Sequence, residues 1–193
     1  METVATILYG LDILLLLSFQ LLNRDYGQFA HAVSDYGVGK TARLFKVYVI
    51  SGSTAAPLLA WQFWAAGPPG YPATISIYLV LVMLGRLAIG LFPNDLRGTP
   101  RTRAGRLHRA ATLLAFTCAF MTVTEATPLL ATNVHDTAST VLVVLKHLIS
   151  AGFIAVIITI SAHMRRFFGL AERMFLYATA LWCLVASLTL PPL

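Results

Sequence analysis

Six apolar runs, each about as long as a membrane-spanning helix, divide the chain and constrain its fold more than any other feature. A helix rises about 1.5 Å per residue, so about 20 apolar residues cross the ~30 Å hydrocarbon core of a bilayer. Charged residues make up only 11% of the chain, whereas soluble domains carry about 25%. We therefore predict an all-α polytopic membrane protein, in which residues 1–193 form a single domain, a bundle of six transmembrane helices.

The positive charges predict the orientation of this bundle. The predicted spans cover approximately residues 3–22, 44–66, 74–92, 107–126, 138–163 and 170–190. Four Lys or Arg residues lie in or beside the first connection, five in the third and three in the fifth, but none in the second or fourth. Cytoplasmic loops of membrane proteins carry such an excess. We predict that the odd-numbered connections are cytoplasmic and that both termini are extracytoplasmic.

The net charge of +6 would favour a nucleic-acid partner in a soluble protein. Here the basic residues lie between apolar runs, where they set the topology and contact anionic lipid headgroups. We therefore expect membrane lipid as a partner and no nucleic acid.

Polar side chains form a layer near the predicted cytoplasmic ends of the helices. We interpret Asp35, Asp95 and His108 as candidate catalytic residues, because a neutral imidazole can exchange a proton beside a carboxylate. The predicted substrate-binding residues are Ser34, Arg86, Asn94 and His163. A fixed cation among them suits a polar headgroup.

The same layer allows two other interpretations. We expect no cofactor, but His108, His163, Asp95 and Asp35 are the types of side chain that hold a divalent metal. A b-type haem is disfavoured because both histidines lie at helix ends rather than inside the bundle. Alternatively the residues are structural, with Arg86 paired to one of the carboxylates and His108 capping the third connection.

A second polar layer is predicted in the outer half of the bundle. Asp12 and Lys146 each lie eight or nine residues from an outer helix end, about 12–13 Å deep. Two charges buried at one depth coexist most simply as an ion pair, and Glu125 lies near enough to compete. A proton or ion relay through these residues is the functional alternative.

Three short motifs carry a resemblance that covers nearly the whole chain. They are Ser34-Asp35-Tyr36-Gly37-Val38-Gly39, Phe92-Pro93-Asn94-Asp95 and Gly105-Arg106-Leu107-His108. Their order and spacing resemble a family of bacterial six-span membrane proteins of unknown function. The resemblance implies location in the bacterial cytoplasmic membrane. It also singles out these residues: Ser34, Asp35, Gly37, Pro93, Asp95 and His108.

Three functional hypotheses follow. In the first, the protein binds or processes a lipid or other apolar small molecule at the polar site on the cytoplasmic side. In the second, it is a small transporter or ion-coupled carrier that uses Asp12, Lys146 and Glu125. In the third, it is a structural membrane subunit without chemistry.

Overall fold

A computed structural model describes residues 2–22, 26–67, 71–96, 98–134, 136–161 and 163–190. Within these ranges the chain is helical and contains no strand. The long helices are α1 (Glu2–Leu22), α2 (Ala42–Ala66), α3 (Ala73–Leu91), α4 (Arg103–Ala131), α5 (Asp136–Thr159) and α6 (Phe168–Thr189). All six are long and apolar enough to cross a membrane, which confirms the predicted six-span fold.

Helix α4 extends beyond the predicted span at both ends. At its start Thr102 is the N-cap, and its hydroxyl accepts a hydrogen bond from the Gly105 amide at 3.0 Å. At the other end α4 continues through Pro128 to Ala131, although the sequence analysis ended the span before this proline. A proline removes one helix hydrogen bond. Membrane bundles accommodate this loss because groups of neighbouring helices satisfy the freed backbone carbonyl.

The six helices form a closed ring in chain order. Each helix packs on the next one, and α6 packs back against α1. Helices α2 and α4 also touch α6 across the interior. Large side chains such as Trp182, Phe63 and Phe175 are fully buried between the helices. By contrast Trp64 and Leu188 are more than 60% exposed, as expected for side chains that face lipid.

The first, third and fifth connections meet at one end of the ring. Asn94, between α3 and α4, bonds to the segment between α1 and α2. The amide of Leu170, at the start of α6, donates to Phe29 O of that segment at 3.1 Å. We call this the basic end, formed by residues 26–46, 92–109 and 163–173. Its described cations are Lys40, Arg43, Lys46, Arg101, Arg103, Arg106, Arg109, Arg165, Arg166 and Arg173; Arg24 and Arg97 lie outside the described residues.

The orientation of the ring in the membrane stays a prediction, and the two ends of α4 offer a direct test. Thr102 and Thr132 flank this helix and are both exposed, whereas the native Cys118 and Cys183 are buried. In a background without native cysteines, Thr132→Cys should react with a membrane-impermeant thiol reagent on intact cells. Thr102→Cys should react only after permeabilisation. The reverse pattern would place the basic end outside.

Candidate functional site

The segment between α1 and α2 folds back against the bundle at the basic end. It forms a short 3₁₀ helix, Val33–Gly37, in which Val33, Asp35 and Tyr36 are buried. The Tyr36 ring stacks on Phe19 of α1 at a centroid distance of 5.1 Å. Such aromatic packing contributes beyond area burial, so this connection is an ordered part of the bundle.

Two charged side chains of α6 hold this segment in place. The Val33 amide donates to Glu172 Oε2 at 2.6 Å. Arg173 Nη1 donates to the carbonyl oxygens of Gln28 and His31, each at 2.8 Å. Glu172 and Arg173 are 3% and 5% exposed, so these hydrogen bonds lie inside the protein rather than in contact with water.

Close approach of the segment to α6 depends on Gly169. A Cβ atom there would lie 2.3 Å from His31 O and 2.7 Å from Gln28 O, which are backbone atoms that cannot turn aside. Any side chain at this position would therefore push the segment away from Arg173.

The structure brings Ser34, Asp35 and Asn94 together, as the sequence analysis expected. Asn94 Nδ2 donates to Asp35 Oδ1 at 2.8 Å and to Ser34 Oγ at 3.1 Å. The other Asp35 oxygen accepts from the Ala32 amide and lies 3.2 Å from His31 Nδ1. Both oxygens of Asp35 are thus occupied by protein groups.

Asp95 follows Asn94 in sequence, but its hydrogen bonds go to the start of α4 rather than to the segment between α1 and α2. Its carboxylate accepts hydrogen bonds from the Thr102 amide at 3.1 Å and the Thr102 hydroxyl at 2.7 Å, and it lies 3.6 Å from Arg109. It thereby stabilises the N-terminus of α4. Asp95 forms no hydrogen bond with Asp35 or His108 among the described residues, and the convergence of these three side chains on a single site stays a prediction.

Asp95 should make the stability of α4 depend on pH. The hydrogen bonds from Thr102 lower the pKa of Asp95 below its ordinary value. Ionised Asp95 therefore contributes to the free energy of unfolding. This contribution is fully present above the ordinary carboxyl pKa and is lost as the pH falls through the lowered pKa. We expect Asp95→Ala to lower the unfolding temperature at neutral pH and to have little effect in strong acid. A difference that persists in acid would show that the carboxylate charge is not involved.

His108 and His163 do not approach each other as a pair of ligands. His108 is 3% exposed and its Nδ1 lies 2.8 Å from Phe92 O. His163 is exposed beyond the end of α5. Among the described residues, no group of three or more His, Cys, Asp or Glu side chains could hold a metal ion. The predicted metal site of His108, His163, Asp95 and Asp35 is therefore not assembled in this structure.

The buried charge pair of the bundle joins Asp12 to Arg86. Arg86 Nη2 lies 3.0 Å from Asp12 Oδ2, and the Asp12 side chain is 2% exposed. The same nitrogen donates to Tyr48 O at 2.7 Å, and the guanidinium lies 4.4 Å from the centre of the Tyr48 ring. The prediction that Asp12 pairs with Lys146 is wrong. Equal depth does not make two helices neighbours, and α1 packs against α2 and α6 rather than α5.

A glycine allows Arg86 to reach Asp12. Arg86 belongs to α3, so its side chain crosses the inner surface of α2 at Gly52. A Cβ atom at Gly52 would lie 2.1 Å from the guanidinium carbon of Arg86, so even alanine would obstruct this path.

Glu125 and Lys146 lie apart from this pair. Glu125 accepts hydrogen bonds from Thr74 at 2.9 Å and Tyr78 at 3.3 Å, which link α3 to α4. Lys146 is half-buried on α5 and forms no salt bridge with a carboxylate among the described side chains. The predicted relay through Asp12, Lys146 and Glu125 is therefore not assembled as one cluster.

Two adjoining cavities lie in the centre of the ring. The first has a volume of about 80 Å³ and begins at Val33 and Ser34 of the basic end. The second, of about 50 Å³, is lined only by residues of the helices and contains Asp12. Both cavities are lined by Tyr48, Val82, Arg86, Ala119, Leu176 and Thr179. Arg86 therefore stands between a cavity near the basic end and a deeper one.

Glu172 and Tyr48 were not among the residues predicted from the sequence, and Arg173 was counted only among the charges that set the topology. The adjacent acid and base in Ala171-Glu172-Arg173-Met174 were the available signal, because charges so close to an apolar run are costly unless paired. Nothing in the sequence marks Gly52 as the crossing point of an arginine.

The fold and the site define a polytopic membrane protein, a six-helix ring around a central cavity that holds a buried ion pair. The chain belongs to the family described as Protein of unknown function (DUF998), whose model matches residues 7–189. This match confirms the resemblance to a six-span family of unknown function. No curated protein and no solved structure significantly matches the chain.

Proposed function

We propose that the protein binds a narrow amphipathic molecule, of the width of one acyl chain, in the first cavity, entering at the basic end. The observation that carries this proposal is the position of that cavity. It lies in the middle of the ring, begins at the ordered segment of the basic end and reaches Arg86. Small-molecule sites are commonly concave and apolar with few polar groups, and bundles often form them between their helices.

The lining of the first cavity supports an apolar ligand. Apolar side chains from four helices form most of its wall: Phe45, Val49, Val82, Ile89, Ala115, Phe116, Ala119, Phe175 and Leu176. The polar lining residues are Ser34 and Glu172 near the basic end, Arg86 at the inner limit, and the hydroxyl-bearing residues Tyr48, Thr112 and Thr179. The hydrocarbon chain of an amphiphile would therefore contact apolar side chains. Its polar group would find hydrogen-bonding or charged partners at either end of the first cavity.

The size of the cavity limits the ligand. Its volume of about 80 Å³ is smaller than a cavity of roughly 150 Å³ that holds one benzene molecule. This space therefore holds only a small part of an amphiphile. We propose that the polar group and the first carbon atoms of a single chain occupy it, while the rest of the chain extends toward the basic end.

No catalytic role is part of this proposal. Asp35, Asp95 and His108 do not line the first cavity. Asp35 and Asp95 are occupied by bonds within the protein, so the site is better suited to binding than to acid–base chemistry. A carrier that uses Lys146 and Glu125 is also less favoured, because neither residue lines a central cavity.

Filling the cavity tests the proposal. Ala119 lines both cavities from α4, and Ala119→Leu should occupy the space that the ligand needs. Native mass spectrometry of gently extracted protein should then show a small amphiphile bound to the unchanged protein and much less bound to Ala119→Leu. The matched control is Ala151→Leu, because Ala151 is exposed on the lipid-facing side of α5. Equal ligand retention by both variants would exclude the central cavity as the site.

A further inference from the structure

The buried pair between the cavities leaves two of its polar atoms without partners. Asp12 and Arg86 meet through one nitrogen and one oxygen, rather than through two parallel hydrogen bonds. Asp12 Oδ1 and Arg86 Nε are buried and have no hydrogen-bond partner among the described residues. Each unpaired buried polar group lowers stability, so a ligand or proton that satisfied either of these atoms would bind favourably.

Among the described residues, no cation other than Arg86 lies beside Asp12. Tyr9 lies on the same helix, Tyr48 and Ser51 face it from α2, and Cys183 faces it from α6. Arg86, contributed by α3, is the only described charged group beside Asp12 that lines the second cavity. The charge state of Asp12 therefore decides whether the guanidinium is neutralised.

Protonation of Asp12 changes what the first cavity can bind. The pair is neutral when Asp12 is ionised and carries one positive charge when Asp12 is protonated. An uncompensated buried cation is unfavourable, so protonation is opposed while both cavities hold only neutral molecules. An anion next to Arg86 removes this obstacle. Because Arg86 also lines the first cavity, the two events favour each other.

We propose that the ligand is an anionic amphiphile whose charged group binds Arg86, and that Asp12 takes up one proton when it binds. One proton from the buffer reaches Asp12 Oδ1 and forms a neutral carboxyl, leaving the conjugate base of the buffer in solution, while Arg86 remains protonated and exchanges Asp12 for the ligand anion. The charge of the whole complex is conserved by entry of one proton and one anion. This inference rests on the proposed binding function and names its ligand class.

Calorimetry of the purified protein in detergent tests this coupling. Hexane-1-sulfonate is a suitable probe because it stays ionised, so any proton taken up belongs to the protein. Titration at neutral pH in two buffers with different heats of ionisation gives the number of protons bound. We expect one proton per hexane-1-sulfonate, and none for 1-hexanol, the uncharged control. Binding of the sulfonate without proton uptake would overturn the inference.

Variants test whether Asp12 takes up the proton and whether Arg86 binds the anion. Asp12→Asn should bind the sulfonate without proton uptake. The double variant Asp12→Asn with Arg86→Met, which removes both charges, should bind 1-hexanol but lose at least tenfold in affinity for the sulfonate. Lys146→Met is the matched control and should keep the proton count of the unchanged protein. If Asp12→Asn does not fold, the double variant and the control still decide the outcome.

The results also separate the inference from the function on which it rests. Binding of 1-hexanol that Ala119→Leu abolishes, together with no binding of the sulfonate, would retain the cavity as an apolar site and overturn the anion and its proton. If neither 1-hexanol nor hexane-1-sulfonate binds, both the proposed binding function and the proposed proton uptake are overturned for single-chain amphiphiles of this length.

Discussion

Replacing Asp12 by asparagine should lower the free energy of unfolding by about 3–5 kcal/mol, the range found when one partner of a buried ion pair is removed. The reason is that Arg86 keeps its charge at any accessible pH and has no other carboxylate within 4.0 Å among the described residues. The loss should appear as a lower midpoint in denaturation in mixed micelles, together with a lower melting temperature.

The double variant shows whether this loss comes from the pair. Asp12→Asn with Arg86→Met should recover most of the stability, since no buried charge remains. Asp12→Asn with Lys146→Met should recover none, because Lys146 does not contact Asp12. Recovery by the lysine change instead would mean that the cation beside Asp12 is Lys146 and that the geometry described above is incorrect.

Replacing Arg173 by methionine should have the second large effect, a loss of about 1–3 kcal/mol in the free energy of unfolding. The change leaves the part-buried carbonyl oxygens of Gln28 and His31 without the donor Arg173 Nη1. The segment 26–38 should then separate from α6. Hydrogen exchange should show faster exchange of the Val33 amide, which donates to Glu172 in the intact protein.

Two further variants identify the cause of that effect. Arg173→Lys should recover only part of the stability, since an ammonium group lacks the planar fork that serves several carbonyl oxygens from one side chain. Arg166→Met is the control, because Arg166 is exposed and makes no bond to this segment. Loss of Val33 protection in the Arg166 variant would indicate a general effect of basic charge, contrary to the contacts of Arg173.

For the polar residues near the basic end, the sequence predicted which end of the bundle they share but not which residues bond to each other. Ser34, Asp35 and Asn94 were expected to share one end of the bundle, and Asn94 donates hydrogen bonds to both Ser34 and Asp35. Asp95 was expected with them, but it caps α4 through Thr102. Which way each side chain of an adjacent pair turns depends on backbone angles in the loop, and spacing along the chain does not contain that information.

For the buried charges, too, the position of a residue could be predicted from the sequence but its partner could not. Placing Asp12 within the membrane required only a count of residues, and the need for a counter-charge followed from its cost in hydrocarbon. The identity of the partner did not follow. Arg86 was assigned to the cytoplasmic layer because it lies near the end of its helix, yet the length of an arginine side chain lets it reach far inward.

Hydropathy and charge along the chain were enough to predict a membrane protein with six helical spans, in which the cations of the connections lie at one end. These properties are sums along the chain: the length of an apolar run sets whether a helix can cross a bilayer, and neighbouring charges add. The pairing of Asp12 with Arg86 became visible in the packed helices alone, because that contact needs α3 to pack beside α2 and needs Gly52 to leave a path between them. Contacts between distant residues depend on which helices are neighbours and how each is rotated, and hydropathy along the chain specifies neither.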